Sequence, residues 1–121
     1  MGRRQSLLHR LTASAEHLDA AELQGEVEQR SCVPVTALRP GNTVKVVGRL
    51  RAVVYTPSET VPTLEAELFD GSDSMDLVWL GRRRIAGIEP GRRVVVRGRV
   101  GRHNGRCAIY NPWYELLNPG A

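Results

Sequence analysis

The sequence predicts an all-β domain of five strands behind a short helical arm, with the arm over residues 1–30 and the barrel domain over residues 31–121. Three observations lead there. The apolar spacing changes near residue 31 from helical to the alternation of strands. Beyond that point, β-branched runs recur between turn signals: Pro40-Gly41-Asn42, Asp70-Gly71-Ser72, Glu89-Pro90-Gly91 and Asn104-Gly105. Finally, 121 residues suffice for one modest core, and no apolar run approaches the ~20 residues of a membrane span.

The arm reads as two short helices. Residues 6–11 form the first, and the hydroxyls of Thr12 and Ser14 interrupt it, because such side chains favour caps over helix interiors. Asp19 starts a second helix as its N-cap, with Glu22 three positions on completing a capping box. Leu7, Leu8, Leu11, Leu18 and Leu23 supply a thin apolar stripe, better suited to packing on a neighbour than to standing alone. His9 and Arg10 break the apolar stretch after Arg3 and Arg4, so no export signal is visible and the expected compartment is the cytoplasm.

The strands follow in order. In residues 43–55, Val44, Val46 and Leu50 share one face and Lys45, Arg49 and Arg51 the other, with Tyr55 also outward. Gly48 marks a bulge or bend that lets this long strand join two sheets. Residues 63–69 turn Leu64, Ala66 and Leu68 inward and Glu65 and Glu67 outward. After the hairpin turn at Asp70-Gly71, Met75, Leu77 and Trp79 share a face, which puts Trp79 in the core. Residues 81–91 form a connection with room for one helical turn. Val94, Val96 and Val100 line the inner face of the fourth strand, opposite Arg93, Arg97 and Arg99. A turn at residues 102–105 leads to a short fifth strand over residues 106–110, which Asn111-Pro112 stops. Trp113 and Tyr114 then cover an end of the barrel.

The net charge of +4 is unevenly spread. Residues 81–121 hold nine arginines against two carboxylates, whereas the first 80 residues are mildly acidic. A basic third beside an acidic remainder suggests an anionic partner such as nucleic acid. Cys32 and Cys107 are the only cysteines and belong to no CxxC or Cys/His cluster, so no zinc site is expected. They are either two thiols, the reading that suits a cytosolic protein, or a disulfide.

Leu38-Arg39-Pro40-Gly41, Gly48, Asp70-Gly71-Ser72, Glu89-Pro90-Gly91 and Gly98, taken in order, resemble the bacterial OB-fold nucleic-acid-binding family. Tyr110-Asn111-Pro112-Trp113-Tyr114-Glu115 is similar to the segment closing the wedge domain of RecG-type branched-DNA helicases. The chain as a whole resembles the small stand-alone OB proteins of actinobacteria. The resemblance implies a five-stranded Greek-key OB-fold barrel and a nucleic-acid partner, DNA before RNA. It implies no motor, because the GxxxxGK[ST] phosphate loop is absent. Nor does the loop over residues 56–62 carry an aromatic side chain of the kind that stacks on branched DNA in the RecG wedge.

Candidate contacts follow from chemistry. The planar fork of arginine matches phosphate, and aromatic faces take bases. Arg82, Arg83 and Arg84 occupy the connection after the third strand, and Arg97, Arg99, Arg102, His103 and Arg106 surround the hairpin between the fourth and fifth. Arg49 and Arg51 either contact phosphates or pair across strands with Glu65, Glu67 and Asp76. Tyr55 and Tyr110 are the stacking candidates. The expected function is non-catalytic binding of single-stranded or branched DNA, with RNA as the second option. No catalytic constellation, cofactor, metal or membrane partner is expected. The alternative is a protein-interaction module, in which residues 1–30 or an open sheet edge dock a partner or a second copy of the chain.

Overall fold

The computed structural model describes residues 3–117, with side chains from residue 16 onward. A helix α1 (Arg3–Gln29) and a 3-10 turn at Val35–Ala37 precede six strands: β1 (Thr43–Thr56), β2 (Thr63–Phe69), β3 (Ser74–Leu80), β4 (Arg93–His103), β5 (Arg106–Tyr110) and β6 (Trp113–Leu116). The first five run in the order β1-β2-β3-β5-β4, and a further pairing of β1 with β4 closes the ring. Among the described strands, β3 and β5 alone pair in parallel. This is the five-stranded OB-type barrel that the sequence predicts. The sixth strand is a correction. Residues 113–116 are more than a cover, because they pair antiparallel with β4 from Val94↔Leu116 to Arg97↔Trp113.

β1 joins both halves of the barrel. Thr43 to Arg49 pair with β4, and Arg49 to Thr56 pair with β2. Gly48 stands at the changeover, where a Cβ would collide with the backbone carbonyl of Phe69. The bulge itself comes three residues later: Leu50 pairs with Leu68 and Ala52 with Glu67, leaving Arg51 over. One extra residue reverses which side chains face inward. Val46 and Leu50 are inward before it, and Val53 and Tyr55 pack against the core after it. The expectation of an outward Tyr55 is therefore overturned, and Val54 is outward in its place, 55% exposed.

The core is filled by Val46, Leu50, Leu64, Ala66, Leu68, Met75, Leu77, Trp79, Val94, Val96, Val100 and Ile109. Each such side chain, fully buried, contributes roughly 1.5–3 kcal/mol. Trp79 is in the core as predicted, with its ring edge-on to Tyr114 at 6.0 Å. Val35 and Leu38 pack into the same cluster, as do Ile85 and Ile88 from the connection after β3. That connection is a series of turns without the expected helical one. Asp70 is fully buried and fully satisfied, accepting hydrogen bonds from the backbone of Val35, Ser72 and Asp73 and from the Ser72 hydroxyl. Cys32 and Cys107 are separate thiols, and burial pushes the Cys32 thiol above its ordinary pKa.

The arm also differs from expectation. It is one continuous helix of 27 residues, and Asp19 lies inside it, so it caps nothing. The interior cost of Ser, Thr and Asp is a few tenths of a kcal/mol each. Tertiary contacts outweigh it here. Leu23 and Val27 are buried, and Val27 packs with Val47 and Val95 on the outer side of β1 and β4. Asp19 pairs with Arg49 at 2.8 Å, and Glu22 and Glu26 with Arg93. Leu18, the next residue of the expected stripe, is 65% exposed, and Leu7, Leu8 and Leu11 lie outside the described side chains.

Candidate nucleic-acid interface

Along the paired stretch of β1 and β4, alternate residues face out of the barrel: Arg49 and Arg93, Val47 and Val95, Lys45 and Arg97, Thr43 and Arg99. The helix covers one end of this double row. Its valine contact sits on Val47 and Val95, and its carboxylates neutralise Arg49 and Arg93. The other end lies outside these helix contacts, with Lys45 half-buried and Arg97 and Arg99 exposed. There Lys45 stands directly opposite Arg97, Arg99 follows on the same face, and among the described residues none of the three forms an ion pair.

β6 extends this end. Its alternation turns Tyr114 and Leu116 onto the core and leaves Trp113 and Glu115 outside. Trp113 is 51% exposed, and the Arg97 guanidinium lies 4.8 Å from the centre of its ring. Gly98 makes the step from β5 to β6 fit. A Cβ there would come within 2.5 Å of the Ile109 side chain and 3.9 Å of Pro112.

The connection that carries the arginine run touches the segment of β6. The Leu80 amide donates to Asn111 Oδ1 at 2.9 Å, and a Cβ on Gly87 would collide with Leu116. The connection carrying Arg82, Arg83 and Arg84 therefore runs beside Asn111–Leu116. All three arginines are exposed. Arg83 lies 5.6 Å from the Tyr55 ring, while Arg82 and Arg84 make no ion pair or hydrogen bond among the described residues.

The opposite outer face, over β2, β3 and β5, carries three carboxylates, Glu65, Glu67 and Asp76, each with a partner. Its carboxylates are paired by the β4–β5 hairpin and not, as expected, by Arg49 and Arg51. His103 Nε2 donates to Glu65 at 3.0 Å, and Arg106 reaches Glu67 at 3.2 Å and Asp76 at 3.7 Å. Burial pushes the Asp76 carboxyl above the usual carboxylate range, against the pull of Arg106. Arg49 is held by Asp19 and the Gly91 carbonyl, and Arg51 lies 3.6 Å over the Phe69 ring. The hairpin turns at Asn104 and Gly105, both with positive φ, as a two-residue turn of primed type requires.

No family model matches the chain, and no curated protein matches it. Among solved structures, it is similar to RecG in the structure of RecG bound to a three-way DNA junction. The TM-score is 0.59 at 24% identity, over 73% of this chain and 12% of that one. The likeness is one of fold. Among the described residues, no helix is long and apolar enough to cross a membrane.

The residues singled out from the sequence thus separate into groups. Arg97 and Arg99 share the open patch, and Arg82, Arg83 and Arg84 are exposed on the connection that touches Asn111 and Leu116. His103 and Arg106 belong to the carboxylate-bearing face, together with Tyr110, which is 41% exposed and donates its hydroxyl to the Arg102 carbonyl. The Arg102 side chain lines a cleft of about 490 Å³ between the β4–β5 hairpin and the β2–β3 turn. Arg49 lies beside the helix, Arg51 on the bulge and Tyr55 against the core. Sequence reasoning missed Lys45 and Trp113 as site residues. The alternation of Trp113-Tyr114-Glu115-Leu116 was the available signal for Trp113. For Lys45 alternation gave the outer face, but its place opposite Arg97 needed the β1–β4 register.

Proposed function

We propose that this chain is a non-catalytic nucleic-acid-binding protein, DNA before RNA, whose binding surface is the outer face of β1, β4 and β6 outside the helix contacts, together with the arginine run. The observation that carries this reading is Lys45 directly opposite Arg97, with Arg99 on the same face and no carboxylate paired to any of them among the described residues. Like charges opposed across strands cost stability. Elsewhere the protein avoids that cost, since Arg49, Arg93 and Arg106 all have carboxylate partners. A polyanion is the ligand class that offsets the repulsion. The fold likeness to RecG, which is bound to a DNA junction in that structure, supports DNA as the polyanion.

Binding on such a surface works by neutralising phosphates and releasing their counterions, so affinity falls steeply with salt. Exposed arginine forks meet phosphate oxygens bidentately and read no sequence in doing so. Fluorescence anisotropy with single-stranded, forked and duplex oligonucleotides at low and high salt tests the reading. Salt-sensitive binding is expected, and no measurable binding at low salt to any of the three overturns it. The second reading, docking of a protein partner through α1, draws support from Leu18, exposed on the helix. A salt-insensitive dimer in light scattering that disappears in Leu18→Glu would favour it.

A further inference from the structure

We propose that Trp113 is a stacking platform for one unpaired base, so that the basic face takes a single strand or a frayed end in preference to uninterrupted duplex. This rests on the nucleic-acid reading above and names the ligand class of the same surface. Three features carry it. Trp113 leaves half its surface in water, while its neighbour Tyr114 packs on the core. It is positioned by a strand, since it pairs with Arg97 in the β4–β6 register. A cation lies against it: the Arg97 guanidinium is 4.8 Å from its ring centre, with Lys45 across from Arg97 and Arg99 on the same face, while Glu115 projects from the same side of β6. An indole against a guanidinium, set among phosphate-binding groups, is the pairing of platform and charge that single-strand binding uses.

Discrimination follows from which part of a base is accessible. In a duplex the base faces are covered by their neighbours, so Trp113 meets only edges and backbone. In a single strand one face is free to lie on the indole. Every base has such a face, so the preference is for unpaired over paired and not for a sequence. The platform lies on β6, and the loop over residues 56–62 has no aromatic side chain.

The experiment uses the full chain, a labelled single-stranded oligonucleotide of mixed sequence and the corresponding duplex, at low salt. Trp113→Leu is expected to weaken single-strand binding roughly 10-fold while changing duplex binding less than about 2-fold. Trp113→Phe, which keeps an aromatic face, should retain most of the affinity. Tryptophan emission should be quenched by the single strand in the wild type and not in Trp113→Phe, because the remaining Trp79 is buried. If Trp113→Leu binds the single strand like the wild type, or weakens equally on both probes, Trp113 is not a platform while the basic face stands. If the wild type binds neither probe, the nucleic-acid reading falls and this inference with it.

Discussion

Lys45 and Arg97 face each other across β1 and β4 on the outer surface of the barrel, and neither has a carboxylate partner among the described residues. One pair further along, Val47 and Val95 lie under α1, and beyond them Arg49 and Arg93 are neutralised by its acidic residues. The same row is therefore covered and balanced at one end, and open and repulsive at the other.

That repulsion gives a first prediction with two opposite signs. Lys45→Glu replaces a like-charge pair with an attractive one, so the protein should gain about 0.5 to 1 kcal/mol in urea unfolding. The same substitution should weaken oligonucleotide binding. A variant that loses both stability and binding would show that Lys45 has a structural role instead.

The arginine run should appear in the salt dependence. Replacing Arg82, Arg83 and Arg84 together with Ala is expected to lower the slope of log affinity against log salt. On a single strand the decrease should be about 0.7 for each phosphate that is no longer neutralised. The exposure of all three predicts no measurable change in stability. Titrations at several salt concentrations read the slope directly, and an unchanged slope would place the run outside the interface.

Gly98→Ala tests the path of the chain into β6. The added methyl would meet Ile109 at 2.5 Å, opposite the Pro112 step. Overpacking of this kind costs about 1–3 kcal/mol. Urea unfolding should show that loss, and β6, with Trp113 on it, should be displaced. Binding should therefore fall as well.

Asp76 supplies a pH dependence. Burial raises its folded-state pKa above the unfolded value of about 4, so the folded protein holds that proton more tightly. The resulting stability is fully present below the unfolded pKa and is lost as pH rises through the folded one. Asp76→Asn cannot titrate, so its stability relative to the wild type should increase from pH ~4 towards neutrality. Paired urea midpoints across that range measure it, and a difference that stays flat would contradict the effect of burial.

Much of the barrel was legible because its signals are local. Alternation placed Met75, Leu77 and Trp79 inward, and the turns at Asp70-Gly71 and Asn104-Gly105 stand where their chemistry puts them. Features that depend on two distant segments were not legible. The bulge at Arg51 exists only as a mismatch between β1 and β2, and it turned Tyr55 inward. The docking of α1 on the barrel depends on Val27 finding Val47 and Val95. At the candidate site, the clustering of arginines late in the chain was visible, but which of them are neutralised was not. Arg106 and His103 meet Glu67 and Glu65 only once β5 pairs with β3. Lys45 joins the patch only through the β1–β4 register.

The most direct measurement compares two charge reversals that change the net charge equally. Arg99→Glu lies on the open face of β1 and β4, and Arg51→Glu on the bulge at the far side of β1. Single-strand affinity at fixed low salt should fall about 10-fold or more for Arg99→Glu, and by less than about 3-fold for Arg51→Glu. Equal losses would mean that only net charge matters, and a larger loss for Arg51→Glu would move the interface to the other face of the barrel.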